Sequence, residues 1–397
     1  FDKALIALNE RVSIVNLVMT GALFKWVPIE GDANHTWAAD HQHESKSAAA
    51  EAFFQAYSSA LHDGITHNDY QKATALLNDL LAYQVKLGAA YIPSNAQRKW
   101  EIILNNSQIF KRLALLNTSM GLVFLGLLFW FVFKDNLGPA WLKKALMGIA
   151  FTSFVLHTAG LGIRWYVSER APWSNGYESM IYIAWTAVLA GLIFNRKSVG
   201  ALSATFILSG ITLFIAHLSF LNPEITPLVP VLKSYWLTIH VSLEAGSYGF
   251  LLLGGIIGYL NLLLYVVVSK DNASRIRKSI NQLTALSELT ITGGLVMLSI
   301  GTYLGGVWAN ESWGRYWGWD AKETWALISI LVYAFILHMR LIPKMKGNFA
   351  FNIASIVGFA SVLMTYYGVN YYLSGLHSYA AGDPVPIPQW VYWAVAG

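Results

Sequence analysis

The sequence predicts an all-α protein, a polytopic membrane helix bundle of about eight spans preceded by a small helical domain. Three observations predict this fold class. Hydrophobic residues make up 55% of the 397 residues and charged residues only 12%, about half the charged share of a soluble domain. Long apolar runs recur after residue 110. Before that point the apolar residues keep helical spacing without forming a long apolar run.

Residues 1–110 are predicted to form the helical domain and 111–397 the transmembrane domain. The first apolar stretch, 5–27, is interrupted by Asn9, Glu10 and Arg11, so we expect a packed or amphipathic segment near the surface rather than a span. Helical spacing then predicts helices over 47–62 and 68–87, and a third helix opened by Pro93, Ser94 and Asn95.

A polar loop is expected between Asp32 and Ser47. Its three histidines, His35, His41 and His43, are a candidate metal site. They lack the i,i+4 spacing of ligands on one helix face, and the chain has no cysteine to complete the set. This pattern favours a solvated loop over a metal site.

The transmembrane domain is predicted to contain eight spans, at about 113–133, 145–166, 178–194, 200–219, 237–268, 287–307, 324–341 and 349–372. The loops between them alternate in charge. One set carries twelve lysines and arginines and the other set five, and such residues collect in cytoplasmic loops. The sequence therefore predicts that the N-terminal domain, residues 308–325 and the C-terminus lie outside the cytoplasm.

The segment 308–325, WANESWGRYWGWDAKETW, is the densest aromatic stretch of the chain. It holds Trp308, Trp313, Trp317, Trp319 and Trp325, and we expect it to be a loop between two spans. One interpretation is an aromatic belt, because tryptophan collects at membrane interfaces. The other is a platform for a flat apolar ligand such as a porphyrin, since burying one indole is worth roughly 4–6 kcal/mol. Residue types alone leave both interpretations open.

Charged residues at the end of this segment favour a helix cap. Asp320 with Glu323 three positions later fits a capping box at the start of the seventh span. This explanation competes with a direct ligand contact by Asp320. Four cations face the same side: Arg164, Arg170, Arg315 and Lys322. They are candidates for pairing with haem propionates, and Arg164 has Glu169 and Glu178 as alternative partners.

Five histidines lie in or beside the predicted spans: His157, His217, His240, His338 and His377. A histidine in a span is a functional candidate by default, against the alternative of a helix–helix hydrogen bond. His240 and His377 fall on the same side as the tryptophan segment, and two imidazoles with flat rings beside them suit haem iron. His338 lies near the cytoplasmic end of the seventh span.

Composition also excludes several classes of function. The chain has no cysteine, so it has no disulfide, no thiol catalysis and no iron–sulfur site. Its net charge of +5 is small, which gives no indication of nucleic-acid binding. It begins at Phe1, a start that we interpret as a piece of something longer.

Residues over roughly 140–380 resemble the CcsA (ResC) half of the system II cytochrome c synthase. The segment WGRYWGWDAKETW is similar to the tryptophan-rich WWD signature of that family. The flanking pieces agree: SYWLTIHVSLEAGSYGF around His240, GLHSYA around His377 and RWYVSERAPWSNGYES at 164–179. The first 130 residues resemble, more weakly, the joining region of fused CcsB–CcsA proteins.

The resemblance implies a haem-handling site at each side of the membrane. It assigns the outer haem iron ligands to His240 and His377, under the WWD loop of Trp308, Trp313, Trp317, Trp319, Asp320 and Trp325. It assigns one ligand of an inner site to His338. The second inner ligand belongs to the CcsB half, and no residue here plainly replaces it; His157 is the fallback.

The function that the resemblance implies is cytochrome c-type biogenesis in the bacterial inner membrane. Haem b is carried to the outer face and positioned for thioether attachment to the Cys-Xaa-Xaa-Cys-His motif of apocytochrome c. A CcsB/ResB-type half and a thiol-reducing partner are implied, besides membrane lipid. Two alternatives stay open: a haem exporter or chaperone without ligation chemistry, and an unrelated secondary transporter. Transporters of that kind carry internal repeats, and this sequence shows none.

Overall fold

The computed structural model describes residues 3–20, 22–32, 36–39, 48–89, 91–135, 139–194, 196–218, 221–226 and 232–373. His377 and the loop histidines His35, His41 and His43 lie outside these residues. The chain divides into two compact units, 1–96 and 97–397. The predicted domain boundary at 110 and the extracytoplasmic place of the first domain stay predictions.

The described residues of the first unit form three helices and one pair of short strands. Its helices are α1 (Lys3–Met19), α2 (Ala48–His67) and α3 (Gln71–Gly88), and strands β1 (Val27–Pro28) and β2 (Trp37–Ala38) pair antiparallel. Val27, Ala38, Ala50 and Leu80 form its small core. The side chains of 5–19 are exposed on all sides, so α1 does not pack within this unit as an amphipathic helix would. β2 also lies inside the stretch that was expected to be a loop.

The second unit is an all-α bundle, as the sequence predicts. Its helices are α4 (Asn95–Ser107), α5 (Ile109–Lys134), α6 (Ala140–Ser168), α7 (Gly176–Phe194), α8 (Val199–Ala216), α9 (Tyr235–Val266), α10 (Ala273–Trp313), α11 (Ala321–His338), α12 (Asn348–Leu363) and α13 (Val369–Tyr372). A 3₁₀ turn, Met339–Leu341, follows α11, and a π-helix, Met364–Gly368, joins α12 to α13. Within the described residues, eight helices are long and apolar enough to cross a membrane, one for each predicted span.

Helix α9 lies at the centre of the bundle, against α7, α10 and α12. Glycines let these backbones approach closely, as small residues do between membrane helices. A Cβ at Gly258 would lie 2.9 Å from the Asn352 carbonyl oxygen of α12. A Cβ at Gly249 would lie 2.7 Å from the Ile183 carbonyl oxygen of α7. Helix α9 therefore meets its neighbours at the level of the main chain.

Buried polar side chains join the helices in two clusters. Asn261 of α9 donates to Thr284 of α10 and Asn352 of α12, at 3.1 and 3.0 Å. Asn117 of α5 donates to Ser209 of α8 and accepts from Ser153 of α6. Such interhelical hydrogen bonds stabilise contacts that have no hydrophobic driving force in lipid. They fix which helix faces meet and so place the site described next.

Candidate functional site

His240 is seated in a groove of α10 by a hydrogen bond and two glycines. Its Nδ1–H donates to the Gly301 carbonyl oxygen, 2.8 Å away. A Cβ at Gly305 would lie 2.6 Å from His240 Cε1, so the imidazole fills the space that a side chain at 305 would take. Donation from Nδ1 fixes the tautomer in which Nε2 carries the lone pair. Metal-binding histidines use this arrangement, with the second nitrogen held by a carbonyl.

The tryptophan segment is only partly a loop. Helix α10 continues past 307 to Trp313, where Gly314, at φ +72°, ends it. The stretch 308–313 contains no glycine or proline that would stop a helix earlier. Helix α11 begins at Ala321, so Trp325 also lies on a helix. The expectation of one loop over 308–325 was wrong, and the irregular part is 314–320.

Trp308 and Trp313 form the base of this aromatic end. Trp308 is fully buried, and its ring meets the half-buried ring of Trp313 at 4.8 Å and 65°. A Cβ at Gly306 would lie 3.0 Å from the Tyr316 carbonyl oxygen, so the loop folds back onto α10. The consecutive glycines Gly305 and Gly306 thus make room for the imidazole of His240 and for the loop backbone.

Glu323 is the residue around which the loop is built. Its Oε2 accepts from the backbone N–H of Gly318 at 2.7 Å and of Asp320 at 3.3 Å. Its own N–H donates to Asp320 Oδ1 at 2.9 Å. The capping box predicted for Asp320 and Glu323 is therefore present. Glu323 Oε1 also lies 3.7 Å from Arg315 Nη1, at ion-pair distance.

Trp319 holds a backbone conformation that tryptophan rarely adopts. Its φ is +57°, in the left-handed region, and its side chain is 69% exposed. Its ring stands edge-on to Trp317 at 5.6 Å and 86°. A bulky residue in this region costs of order 1–2 kcal/mol, and such strain collects at functional sites. Here the strained conformation leaves the indole exposed at the surface of the bundle.

Substitutions at Trp319 are expected to reveal this strain. Trp319→Gly and Trp319→Ala remove the same indole, but only glycine adopts a positive φ without penalty. We expect the glycine variant to unfold with a free energy about 1 kcal/mol higher than the alanine variant. Thermal unfolding of both in detergent measures the difference. Equal stabilities would show that the backbone at 319 carries no strain.

The π-helix between α12 and α13 is hydrogen-bonded to the first turns of α11. Thr365, in the π-helix, donates to the Trp325 carbonyl oxygen at 3.0 Å and meets Ser329 at 2.8 Å. Lys322 Nζ donates to Asn370 Oδ1 at 3.0 Å. These contacts hold the last described turn before His377 against the helix that follows the tryptophan loop.

A buried ion cluster fixes the neighbouring segment between α6 and α7. Glu178 is fully buried and accepts from Arg164 Nε at 2.9 Å, Arg170 Nη1 at 2.6 Å and the Ser174 backbone N–H at 2.9 Å. The same arginines donate to the carbonyl oxygens of Pro223, Glu224 and Thr226. Of the two carboxylates offered by the sequence as partners for Arg164, Glu178 is the one that it contacts. Both arginines are thus engaged within the protein, which weighs against pairing with propionates.

Trp173 joins this segment to the helix that carries His240. Its Nε1–H donates to the Thr238 carbonyl oxygen at 3.1 Å, two residues before His240 on the chain. Its ring contacts Tyr182 at 4.6 Å, and Tyr182 donates to the Ser242 carbonyl oxygen at 3.3 Å. The first turns of α9 are therefore held from two sides, by α10 and by Trp173 with Tyr182 of α7.

The other histidines do not meet His240 in the contacts of the described residues. His157 is buried, donates from Nε2 to the Ile181 carbonyl oxygen at 3.0 Å and lies edge-on to Phe110, which is the helix–helix role. His217 caps α8 and contacts Tyr177. His338 is exposed at the far end of α11, with Nδ1 bonded to the Ala334 carbonyl oxygen at 2.7 Å. Within the part of the chain that the structure describes, no three His, Asp or Glu side chains gather as a metal site.

Sequence reasoning missed several residues at the end of the bundle that holds His240 and the tryptophan segment. The role of Gly305 is one, although Gly301 and Gly305 are spaced four apart, the pattern of a close helix contact. Glu244, buried one turn beyond His240, is another; a carboxylate in an apolar run was the available signal. Trp173 gave no local signal, because its partner is 65 residues away in the chain.

Comparison with known proteins gives consistent matches. The family model described as "Cytochrome C assembly protein" matches residues 173–377. The chain is 44% identical over 391 residues to Protein NrfI of Wolinella succinogenes, covering 97% of this chain and 43% of that protein. It thus spans less than half the length of that relative. It is 37% identical over 288 residues to Cytochrome c biogenesis protein CcsA of Synechococcus sp., covering 64% of this chain and 90% of that protein. To CcsA of Chlamydomonas reinhardtii it is 38% identical over 255 residues, covering 62% and 70%.

Proposed function

Because this chain belongs to the cytochrome c assembly protein family, as its resemblance to CcsA-type proteins predicted, we propose that it binds haem between His240 and His377 and presents it for attachment to an apocytochrome c. Cytochrome c biogenesis and a multi-pass membrane location follow from the family and the eight apolar helices. The haem site, the attachment chemistry and the orientation are the proposal.

The observation that carries the proposal is the seat of His240. An imidazole whose Nδ1–H is bound to the Gly301 carbonyl oxygen presents the Nε2 lone pair, which is how metal-bound histidines are oriented. The groove that receives this imidazole lies on α10, the helix that continues to Trp308 and Trp313. Here Trp313, Trp317 and Trp319 lie at the same end of the bundle.

The indoles supply the apolar surface that a porphyrin needs. Trp313 and Trp317 are half-buried and Trp319 is exposed, so their rings have surface left to cover a flat ligand. Trp308 is fully buried and supports this bed from beneath. Asp320 caps α11 and so holds the end of the loop that carries these indoles; its contact with the ligand stays a prediction.

The reaction proposed is that of a cytochrome c synthase. Reduced thiols of the Cys-Xaa-Xaa-Cys-His segment of an apocytochrome add across the two vinyl groups of haem b. In each addition the sulfur bonds to one carbon of the vinyl group and the thiol proton is transferred to the other carbon. The thioether therefore forms without net oxidation. This chain's residues ligate, orient and exclude water. They supply no thiol, since the sequence has no cysteine. The thiols of the substrate have to be reduced for the addition, and a thiol-reducing partner is proposed to keep them so.

The inner haem site is proposed to need a partner chain. His338 is exposed on α11, on the face that also exposes Leu331 and Phe335. A CcsB/ResB-type half that covers this face would bring the second ligand. The proposed location is a bacterial inner membrane, and the excess of lysine and arginine in one set of loops supports an orientation with His338 towards the cytoplasm and the tryptophan segment outside.

Removing His240 tests the outer site. In protein purified with its CcsB-type half, we expect His240→Ala to weaken haem retention at least about 10–100-fold, since even outer partners of a metal ligand have effects of this size. The absorption spectrum of the purified complex measures it. Added imidazole is expected to restore the signal, because it replaces the missing ligand.

His217→Ala is the matched control. His217 lies at the same end of the bundle, but its Nδ1 bonds to the Leu213 carbonyl oxygen of its own helix. We expect it to keep the haem spectrum. A His240→Ala complex with the wild-type spectrum would contradict the proposed site.

Attachment is tested separately from binding. Cells without other maturation genes are given this chain, its CcsB-type half and an apocytochrome c. Covalent holocytochrome, detected by haem staining after denaturing electrophoresis, is the expected result. Haem-loaded complex without holocytochrome would favour a haem exporter or chaperone instead.

A further inference from the structure

Glu244 is a buried carboxylate one helical turn from His240. It lies on the same face of α9, four residues on, and its side chain is only 8% exposed. Burying a carboxylate among apolar spans is costly unless it is hydrogen-bonded. Further along α9, the contacts with α10 and α12 are made by neutral groups, Asn261, Thr284 and Asn352. A carboxylate at this position therefore calls for a function.

The carboxylate is held by α10, by its own helix and by charge. Glu244 Oε1 accepts from Thr302 Oγ1 at 2.8 Å, and Oε2 lies 3.4 Å from the Tyr248 hydroxyl. The ammonium of Lys322, in the first turn of α11, lies close enough to attract it. Lys322 in turn bonds to Asn370, on the turn that leads to His377.

The contacts of Glu244 and His240 on α10 are adjacent. His240 donates to the carbonyl of Gly301, and Glu244 accepts from the side chain of Thr302, the next residue. The helices are tight here, because a Cβ at Gly301 would lie 3.2 Å from Glu244 Oε1. Two bonds one turn apart on α9 thus fix both the height and the rotation of α9 against α10.

We propose that Glu244 is a positioning residue for His240: its bond to Thr302 holds α9 in the register at which the Gly301 carbonyl receives His240 Nδ1–H. The inference rests on the proposed function, in which His240 ligates haem iron. When the bond is lost, α9 is free to slide or turn against α10. The imidazole then loses its carbonyl partner and points Nε2 away from the iron.

Three variants test this role. Thr302→Val removes the hydroxyl at nearly constant volume, and Glu244→Leu removes the carboxylate. We expect both to weaken haem retention about 10–100-fold and to convert part of the iron from six-coordinate low-spin to five-coordinate. Imidazole is expected to restore the low-spin spectrum. Glu244→Gln keeps an oxygen for Thr302 and is expected to behave nearly as wild type.

Two control variants separate positioning from stability. Thr290→Val removes a buried hydroxyl of α10 that donates to the Leu286 carbonyl oxygen of the same helix. Glu288→Leu removes a carboxylate of α10 that pairs with Arg340 at the other end of the bundle. Both are expected to keep the low-spin spectrum, whatever they do to the melting temperature.

The outcomes separate this inference from the proposed function. If His240→Ala loses the low-spin signal but Thr302→Val and Glu244→Leu keep it, Glu244 does not position the ligand and the haem site stands. If Thr290→Val loses the signal as Thr302→Val does, the effect is one of general stability and the inference fails. If His240→Ala keeps the signal, both the haem site and the role of Glu244 are overturned.

Discussion

Glu178→Ala is expected to lower the free energy of unfolding of the bundle by about 3–5 kcal/mol, the cost of removing one member of a buried ion pair. Glu178 has no exposed surface, and its carboxylate forms ion pairs with both Arg164 and Arg170. Its loss leaves two guanidinium groups without a counter-charge in a site where the Arg164 side chain is only 4% exposed and that of Arg170 only 11%. It also leaves the Ser174 N–H without its acceptor.

Thermal or denaturant unfolding of the purified protein in detergent measures this loss. Glu178→Gln keeps the size of the side chain and one acceptor, so we expect an intermediate loss. Glu224→Ala is the matched control. Arg164 donates to the main-chain oxygen of Glu224, which alanine retains. A change within about 0.5 kcal/mol is therefore expected. Equal stabilities of Glu178→Ala and Glu224→Ala would contradict the buried cluster.

Glu323→Ala is expected to release the loop 314–320 while leaving the spans folded. The change removes the two charged hydrogen bonds that Glu323 Oε2 accepts from the N–H groups of Gly318 and Asp320, each worth about 1.5–3 kcal/mol. The bond from the backbone N–H of residue 323 to Asp320 Oδ1 is retained, so α11 keeps its N-cap. Because Arg315 loses its ion-pair partner at the same time, its peptide bond becomes accessible. We expect trypsin to cut after Arg315 in the variant and to spare it in the wild type.

Mass spectrometry of the fragments locates the cut. Glu311→Ala is the matched control. Glu311 lies near the end of α10, just before the loop, but its side chain bonds to Ser234 rather than to the loop. It is expected to keep the protection. The Glu323→Ala variant should also retain less haem, because Trp317 and Trp319 lose their fixed places. Trypsin resistance equal to that of the wild type would show that Glu323 does not organise the loop.

The spans could be predicted because the constraint that makes them is local. In lipid a backbone must satisfy its own hydrogen bonds, so a long apolar run becomes a helix. The cap of Asp320 and Glu323 was predictable for a similar reason, since its residues are three apart. The end of α10 was misplaced because the density of indoles was taken to mean a loop, although Gly314 is the first residue there that stops a helix.

The partners inside the site could not be predicted. Glu244 and Thr302 are 58 residues apart, and Lys322 and Asn370 are 48 apart. Which residues meet depends on how the spans pack, and packing between spans follows small residues rather than hydrophobic periodicity. Gly305 and Gly306 were visible in the sequence, but not that one receives an imidazole and the other a carbonyl oxygen.

The π-helix Met364–Gly368 has a consequence for comparing the relatives of this protein. A π turn holds one residue more than an α turn, and each residue of a helix turns the chain by about 100°. The extra residue therefore decides which side of the chain Asn370 faces, and with it the hydrogen bond that Asn370 accepts from Lys322. Homologues that lack one residue here would present the following positions on another side. A one-residue gap at 364–368 in an alignment would therefore record a change of geometry. It should be kept, even where shifting it would raise the percentage of identical residues.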